Sequence, residues 1–293
     1  LCDEGRYGFD RFLPKVRVTS AYEKGEAKSL EEALKKTSEL KKGNCLILVA
    51  PDLTVEEFAI VESFNEKCLE NSKVVTALRS RTLSDLEKIL VSPDYAANFR
   101  GGVFAKGEKE GTREQLEQRY EEALRQLKGN VYDSVIFVGD RAIAEQDFSD
   151  MELLQAINRM PFSLGILCDR EGPLFDNCSV VLPGRSILEK SGLLINKDDR
   201  VQYAQQATPI LEGTLPHWRA VGLVAQHLGK SIVEARADRD LTLSYLQAEP
   251  RLAGLTIRDV KQGGVDLKTY TPKAHGEASS KQSNEAEGRD SRA

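Results

Sequence analysis

The sequence predicts an α/β fold: a doubly wound, mostly parallel sheet flanked by helices. Two observations support this prediction. Short runs that are wholly apolar, such as Cys45–Val49 and Val135–Val138, fit strands that are covered on both faces. Segments with helical periodicity lie between such runs, and the two patterns alternate from about residue 29 to residue 183. Parallel strands joined through helices imply right-handed crossovers.

The first half of the predicted domain contains two clear helix starts. Ser29-Leu-Glu-Glu32 is a capping box that opens a helix ending near Gly43, and Thr54-Val-Glu-Glu57 opens a second helix after the first strand. The second helix has apolar residues on one face, at spacings of three and four: Phe58, Val61, Phe64 and Cys68. A second strand is predicted at residues 73–78, and Ser84-Asp-Leu-Glu87 predicts a short helix.

The second half begins with residues 92–111, which are predicted to form a loop because they contain the pair Gly101-Gly102. Thr112 begins a long helix that ends at Gly129. Ser149-Asp-Met-Glu152 is predicted to cap the helix after the strand Val135–Val138. The remaining predicted elements are two strands and a helix: Phe162–Cys168, Ser179–Leu182 and Pro216–Leu228.

Three segments differ in composition. Residues 1–28 lack clear periodicity and are predicted to be a loop-rich amino-terminal segment, whereas residues 29–260 form the α/β domain. Residues 272–293 contain no Ile, Leu, Val, Met, Cys or aromatic residue and are predicted to be disordered. The chain starts at Leu1 without a signal-peptide pattern, which suggests a processed, trimmed or fragmentary polypeptide.

Composition narrows the classes of function. The 293 residues include 41 Lys and Arg against 46 Asp and Glu, for a net charge of −5, and 40% of them are apolar. An acidic balance disfavours nucleic acid as a partner, since domains that bind it through net charge are usually basic. The sequence lacks an apolar run of the roughly 18 residues that a membrane helix needs, so direct membrane insertion is not expected.

Cysteine and histidine do not form a recognisable catalytic or metal motif. Five cysteines without C-x-x-C spacing favour a reducing compartment over a disulfide framework. Cys45 and Cys68 are predicted to be core residues, and the pair Cys168 and Cys178 flanks a turn but lacks further ligands nearby. The sequence has three histidines and no G-x-S-x-G elbow, so a nucleophilic triad is neither indicated nor excluded.

Polar residues follow several strands at the edge where a doubly wound sheet binds ligands. Gly139-Asp140-Arg141 comes directly after a buried strand, without the glycine spacing of a phosphate loop. We favour a plain strand-to-helix connection here over a vestigial nucleotide site. Arginines also follow the strands and could hold an anion, face water or meet a partner subunit: Arg79, Arg81, Arg141, Arg170 and Arg185.

Two segments together resemble the molybdopterin oxidoreductase family. Leu1-Cys-Asp-Glu-Gly-Arg-Tyr-Gly8, followed by Val16-Arg-Val18, resembles the end of that family's iron–sulfur module. Val181-Leu-Pro-Gly184, then Glu189-Lys-Ser-Gly192 and Asn196-Lys-Asp-Asp-Arg-Val-Gln202, resembles a family pattern that comes later in the chain. The first segment is most similar to the large iron–sulfur subunits of NADH-quinone oxidoreductase, respiratory complex I.

The resemblance implies cofactor positions from which this chain departs. Cys2 matches the fourth thiolate of a [4Fe–4S] motif, but the other three ligands are absent and one thiolate cannot hold the cluster. Glu4 stands where a lysine is common, and Gly192-Leu-Leu194 stands where the family has Gly-Thr-Phe. The residues that keep the later pattern are Glu189, Gly192, Asn196, Arg200 and Gln202. We interpret them as structural: Gly192 as a site of positive φ, Asn196 in a turn, and the others as side chains that stabilise the loop.

The resemblance thus implies a degenerate, cofactor-free molybdopterin-oxidoreductase-like scaffold that supports electron transfer from NADH to quinone. Its partners would be other peripheral-arm subunits of respiratory complex I, at the cytoplasmic face of the cell membrane. Iron–sulfur clusters are expected in the complete subunit, and no catalysis is assigned to this chain alone. Two alternatives stay open: a pterin-binding subunit similar to formate dehydrogenase, and the iron–sulfur subunit of an NAD-linked hydrogenase.

Overall fold

A seven-stranded, mostly parallel sheet forms the centre of the molecule in the computed structural model, which describes residues 12–41, 43–79, 84–85, 98–107 and 112–272. The strands of this sheet are β1 (Ala21–Glu23), β2 (Glu26–Lys28), β3 (Cys45–Val49), β4 (Ser72–Thr76), β5 (Ser134–Val138), β6 (Phe162–Leu167) and β7 (Val180–Pro183). They lie in the order β2-β1-β7-β6-β5-β3-β4. The strands β3 to β7 are parallel to one another, and β1 and β2 form a hairpin that extends the sheet at β7, with β1 antiparallel to β7.

Helices cover both faces, which confirms the predicted fold class. The helices are α1 (Leu30–Lys36), α2 (Val55–Cys68), α3 (Phe99–Ala105), α4 (Arg113–Lys128), α5 (Met151–Arg159), α6 (Pro173–Asn177), α7 (His217–His227), α8 (Asp238–Ala248) and α9 (Ile257–Lys261). One apolar core lies between the sheet and α4, α5 and α6, and the other lies between the sheet and α1, α2 and α7.

The wholly apolar strands have a direct physical reason. Successive side chains of a strand point to opposite faces of the sheet. In β3, Leu46 and Leu48 pack into the first core, whereas Cys45, Ile47 and Val49 pack into the second. Because both faces of β3 are covered, the strand lacks the polar alternation of a half-exposed strand.

A second, smaller sheet packs against the amino-terminal end of α2. Its strands are β8 (Gly192–Ile195), β9 (Arg200–Ala204) and β10 (Val265–Asp266), all antiparallel. A third apolar cluster joins this sheet to α8, α9 and Val55 at the start of α2. The family-like segment after Glu189 is therefore a β-hairpin and not an irregular loop.

The structure corrects several predicted elements. Residues 99–105 of the predicted loop 92–111 form α3, in which both glycines are buried. A methyl group at Gly102 would lie 3.0 Å from the Phe58 ring, so this glycine serves close helix packing and not a turn. Residues 21–28, which the sequence predicts as part of a loop-rich segment, form the β1–β2 hairpin.

Some of the predicted helix starts agree with the structure, and others do not or lie outside the described residues. The capping boxes at Ser29 and Thr54 are confirmed, and the long helix begins after Thr112 as predicted. The cap of α5 is Asp150 and not Ser149, because the Asp150 carboxylate accepts from the Leu153 amide at 3.1 Å. The helix predicted from Ser84-Asp-Leu-Glu87 lies largely outside the described residues, as do residues 273–293 of the predicted disordered tail and residues 1–11.

Candidate functional site

The chain reverses its direction of winding between β3 and β5. From β3 the chain passes through α2 to β4 on one side, and the later strands β5, β6 and β7 are added on the other side. In open α/β sheets, ligands bind beyond the carboxyl ends of the strands at such a switch point. Here the two strand ends are Ala50-Pro51-Asp52 and Gly139-Asp140-Arg141, so the structure places the predicted strand-end residues at the switch point.

Gly139 allows the two strand ends to approach each other closely. Its φ is +92°, a conformation that side chains other than glycine rarely adopt, and a methyl group there would lie 2.7 Å from the Ala50 Cβ. The Ala50 amide donates to the Val138 carbonyl at 2.9 Å, and the Gly139 amide donates to the Ile166 carbonyl at 3.0 Å. The hydrogen bonding between neighbouring strands therefore continues beyond Val49 and Val138, the last residues of β3 and β5.

A buried triad of Glu57, Lys190 and His217 lies beside this edge. The Glu57 carboxylate accepts from the Lys190 ammonium at 2.6 Å and from the backbone amide of His217 at 3.1 Å. It also accepts from the Thr54 amide at 3.1 Å, so a single carboxylate caps the amino-terminal ends of both α2 and α7. The Lys190 Nζ lies 3.2 Å from the His217 Nδ1.

The electrostatics of the triad follow from its burial and its charges. All three side chains are at most 4% exposed. Burial alone would oppose ionisation of Glu57, but the Lys190 ammonium and the hydrogen bond from the His217 amide hold the Glu57 pKa well below its ordinary value. The triad is therefore an ion pair within the protein interior, with His217 hydrogen-bonded to its cationic side.

The Asp140 carboxylate accepts hydrogen bonds from backbone amides at the end of β6. Its Oδ1 accepts from the backbone amides of Cys168 at 2.9 Å and Asp169 at 2.8 Å. Loss of solvent around this group raises the Asp140 pKa, and the two backbone bonds act in the opposite direction. Asp140 thus fills the position where an anion would meet free strand-end amides.

Residues 16–18 cross the same carboxyl edge of the sheet, and a salt bridge from Arg17 to Glu189 holds them there. The Val18 amide donates to the Cys168 carbonyl at 2.9 Å, and the Arg170 amide donates to the Val16 carbonyl at 3.0 Å. The Arg17 guanidinium forms a two-pronged pair with Glu189, with one contact of 3.1 Å and one of 2.5 Å. This geometry is typical of strong arginine–carboxylate recognition.

Two adjoining cavities remain at the carboxyl edge. The smaller one, of about 90 Å³, lies at the switch point and is lined by Asp52, Gly139, Arg141, Arg185, Lys190 and His217 among others. The larger one, of about 290 Å³, lies over the ends of β5 and β6 and has an apolar wall that includes Phe148 and Phe175. Asp140, Arg141 and Asp169 line both cavities.

The family-like residues do not converge on these cavities. Glu189 is buried next to the smaller cavity, where it binds Arg17, but the other four lie on the β8–β9 hairpin or in its turn. The Asn196 Oδ1 accepts from the amides of Asp198 and Arg200 at 3.0 Å each, which confirms its predicted role in a turn. The Arg200 guanidinium donates to the carbonyls of Gly263 and Gly264, and Gln202 is exposed.

Gly192 differs from its predicted role. It does not adopt a positive φ. A methyl group at this position would lie 2.6 Å from the Thr54 Cγ2, so the glycine is needed because β8 passes close to the start of α2. Cys2 lies outside the described residues, and its cluster-ligand assignment stays a prediction.

The strand-end arginines have separate partners. Arg79 binds Asp147 and Glu121, and Arg170 lies over the rings of Tyr22 and Phe175. The Arg141 Nη1 lies 3.9 Å from Asp52. Arg185 is half-buried beside the smaller cavity, and Arg81 lies outside the described residues. The arginines among the described residues therefore do not form a ring around one anion.

Local sequence patterns do not reveal the triad. In the sequence, Glu57 is only the last residue of a capping box, Lys190 is only part of a family-like motif, and His217 is only a histidine near a helix start. The pattern that could draw attention to Glu57 is Glu56-Glu57, two adjacent carboxylates on a helix whose neighbouring residues are apolar. Lys190 and His217 lie more than 130 residues from Glu57, beyond the reach of any local pattern.

The cysteines do not form a metal centre within the described ranges. Cys45, Cys168 and Cys178 are buried free thiols, and burial raises the pKa of Cys45 to about 12. Among the described residues, no group of three or more His, Cys, Asp or Glu side chains could hold a metal ion. None of the helices in those ranges combines the length and apolarity needed to cross a bilayer.

Comparison of the chain with models of known protein families and with curated proteins finds no match in either case.

Proposed function

We propose that this chain is a cofactor-free scaffold, the molybdopterin-oxidoreductase-like carboxy-terminal part of the large iron–sulfur subunit of an NADH-quinone oxidoreductase. The observation that carries the proposal is that the protein's own carboxylates occupy the backbone amides at the switch point. Ligands of α/β sheets bind there through helix amino termini and free strand-end amides. In this chain Glu57 caps α2 and α7, and Asp140 accepts from the strand-end amides.

A pterin dinucleotide is the cofactor that the resemblance implies, and the residues at the switch point do not fit it. Sites for ligands of this size usually have cavities of about 300–1,000 Å³. The cavity at the switch point has about 90 Å³ and the adjoining one about 290 Å³, so each is below this range. The amides of Cys168 and Asp169, which would face a phosphate group, already donate to Asp140. We therefore derive no chemical step through a pterin.

The scaffold role places electron transfer in the assembly and not in this chain. Iron–sulfur clusters of the complete subunit would carry electrons from NADH towards quinone. The described fold offers a rigid sheet with two covered faces and a family-like hairpin held against α2. The partners would be other peripheral-arm subunits of respiratory complex I, which would hold the chain at the cytoplasmic face of the membrane.

Purification of the polypeptide from its native host tests this proposal. Mild solubilisation, native electrophoresis and mass spectrometry should find it with other complex I peripheral-arm subunits. Metal and pterin analysis of the same sample should find iron but no stoichiometric molybdenum or tungsten. Stoichiometric molybdenum or tungsten would overturn the scaffold role in favour of a pterin enzyme. Co-migration with hydrogenase subunits would favour the second alternative and contradict the complex I assignment.

The cluster-ligand assignment of Cys2 has its own test in the isolated 293-residue chain. Since a single thiolate cannot hold a [4Fe–4S] cluster, Cys2→Ala should leave the iron content of this chain unchanged. The matched control is Cys68→Ala, which removes a half-buried thiol on α2. A loss of bound iron in the Cys2 variant alone would show that the chain binds a cluster by itself.

A further inference from the structure

The hydrogen bonding of Lys190 determines where His217 carries its proton. A lysine ammonium has three N–H donors and no acceptor. The Lys190 Nζ lies 3.2 Å from the His217 Nδ1, so Nδ1 accepts this bond. A neutral imidazole that accepts at Nδ1 carries its hydrogen on Nε2. The tautomer is thus assigned from the bonding network, and Nε2 is a donor.

His217 lines the small cavity at the switch point, and its Nε2 is buried. The side chain is only 4% exposed, and no group among the described residues accepts from Nε2. Methyl groups built on Gly139 and Gly184 would lie 3.7 Å and 3.2 Å from this nitrogen. Glycine at these two positions therefore leaves space beside this buried donor. A buried donor without an acceptor is costly unless a bound group satisfies it.

Arg185 supplies a second donor to the same cavity. Its side chain is half-buried, and its Nε has no acceptor among the described residues. A guanidinium is permanently charged and presents its N–H groups in a planar fork that matches oxyanions. Lys190 adds positive charge at the cavity wall, although Glu57 balances it.

Of the three carboxylates that line the cavity, two accept hydrogen bonds from backbone amides and the third lies near Arg141, which lines the same cavity. Asp140 accepts from two backbone amides, and the Asp169 Oδ1 accepts from the Glu171 amide at 2.9 Å. Asp52 lies 3.9 Å from the Arg141 guanidinium. Two buried nitrogens of the residues that line the cavity have no hydrogen-bond partner: His217 Nε2 and Arg185 Nε. Both are donors, so a ligand in the cavity would have to supply acceptors.

We infer that the small cavity at the switch point binds a phosphate-type oxyanion, which accepts hydrogen bonds from His217 Nε2 and the Arg185 guanidinium. One water needs roughly 10–15 Å³ of such space. The cavity of about 90 Å³ therefore has room for one small oxyanion, but not for a dinucleotide. This inference is independent of the scaffold role, since it concerns a binding site and not the partners of the chain.

Calorimetric titration of the full chain with inorganic phosphate, at constant ionic strength in chloride, tests the inference. We expect saturable binding at one site. Arg185→Gln should weaken it by about tenfold or more, because a charge-assisted hydrogen bond is lost. The matched control is Arg159→Gln, which removes an equal charge from an exposed position on α5 and should change affinity by less than about twofold. An absence of saturable binding, or equal weakening in both variants, would overturn the inference.

A parallel titration with adenosine monophosphate distinguishes free from esterified phosphate. Tighter binding of the ester than of inorganic phosphate would show that the site takes the phosphate of a larger molecule, with the rest in the adjoining cavity. Binding of inorganic phosphate alone would show that the ligand is the free ion. Both results require the Arg185 dependence, so neither can stand for non-specific attraction.

Nuclear magnetic resonance of ¹⁵N-histidine-labelled chain tests the inference without a substitution. The His217 ring should show the tautomer with hydrogen on Nε2, and its Nε2 signal should shift when phosphate is added. His227, at the exposed end of the same helix, is the internal control and should not shift. A hydrogen on Nδ1, or an Nε2 signal that ignores phosphate, would contradict the proposed site.

Discussion

At the scale of single residues, the adjacent carboxylates of Glu56 and Glu57 have opposite pKa shifts because their surroundings differ. Both are 1% exposed at the start of α2. Glu57 lies against the Lys190 ammonium, whereas Glu56 accepts from the Leu193 amide and from the Thr242 hydroxyl, which are both neutral. Burial raises the pKa of Glu56 to about 7, because no cation offsets the loss of water. One carboxylate is therefore held ionised and its neighbour is held partly protonated near neutral pH.

Removal of Lys190 should destabilise the protein strongly. Lys190→Met leaves the Glu57 carboxylate buried without its cation, and loss of one partner of a buried ion pair costs about 3–5 kcal/mol. Urea unfolding measures the effect. Glu57→Gln combined with Lys190→Met should recover part of the loss, because no unpaired charge remains. Lys197→Met, at an exposed ion pair, should change stability by less than about 1 kcal/mol. Equal losses in the single and double variants would contradict this account of the pair.

Glu56 should make stability depend on pH in a defined window. Its pKa is about 7 in the folded protein against 4.5 as the ordinary value, so the folded state binds the proton more tightly than the unfolded chain. The contribution of Glu56 is greatest below pH 4.5 and is lost as pH rises towards 7, by roughly 3 kcal/mol. Glu56→Gln should flatten that part of the pH profile of the unfolding free energy. Glu66→Gln, on the exposed side of α2, should leave the profile unchanged; a flattened profile there would point to another group.

At the scale of elements, local signals predict the strands and helix starts, and long-range packing decides the rest. The capping boxes at Ser29 and Thr54 are complete within four residues, so the sequence alone reveals them. The loop predicted from the pair Gly101-Gly102 is wrong, since the small size of Gly102 serves contact with Phe58 and not a turn. The β8–β9 hairpin escapes prediction because its neighbours α2 and α3 are distant in sequence.

Asn98 joins the segment between β3 and α2 to strand β8 of the small sheet. It is fully buried, its Nδ2 donates to the Leu53 carbonyl at 2.6 Å, and its Oδ1 accepts from the Ile195 amide at 2.7 Å. Asn98→Ala would leave both backbone groups without a partner, at about 1–3 kcal/mol each. Urea unfolding should show this loss. Asn158→Ala, at an exposed position on α5, should have little effect, and an equal effect of both variants would refute the bridging role.

At the scale of the whole molecule, the sequence predicts the edge of the sheet at which the candidate site lies, but not the residues that form it. Strand ends such as Val138-Gly139-Asp140 follow from the apolar runs. The triad joins residues from α2, from the segment before β8 and from α7, and only the folded chain brings them together. The buried polar residues at this edge come together only in the tertiary structure. No periodic pattern in the sequence indicates them.

The two sheets should open with different free energies. The central strands β3, β5 and β6 have a partner on each side and lie between two apolar cores, whereas β8 to β10 form a small sheet with one apolar cluster. Local opening is easiest where fewer apolar contacts must be broken. Native-state hydrogen exchange should therefore be slowest at the amides of β3, β5 and β6, and faster in β8 and β9. Asn98→Ala should accelerate exchange at the Ile195 amide more than at the Ile136 amide in β5. Uniform protection of both sheets, with equal acceleration by the variant, would show instead that the molecule opens as a single cooperative unit.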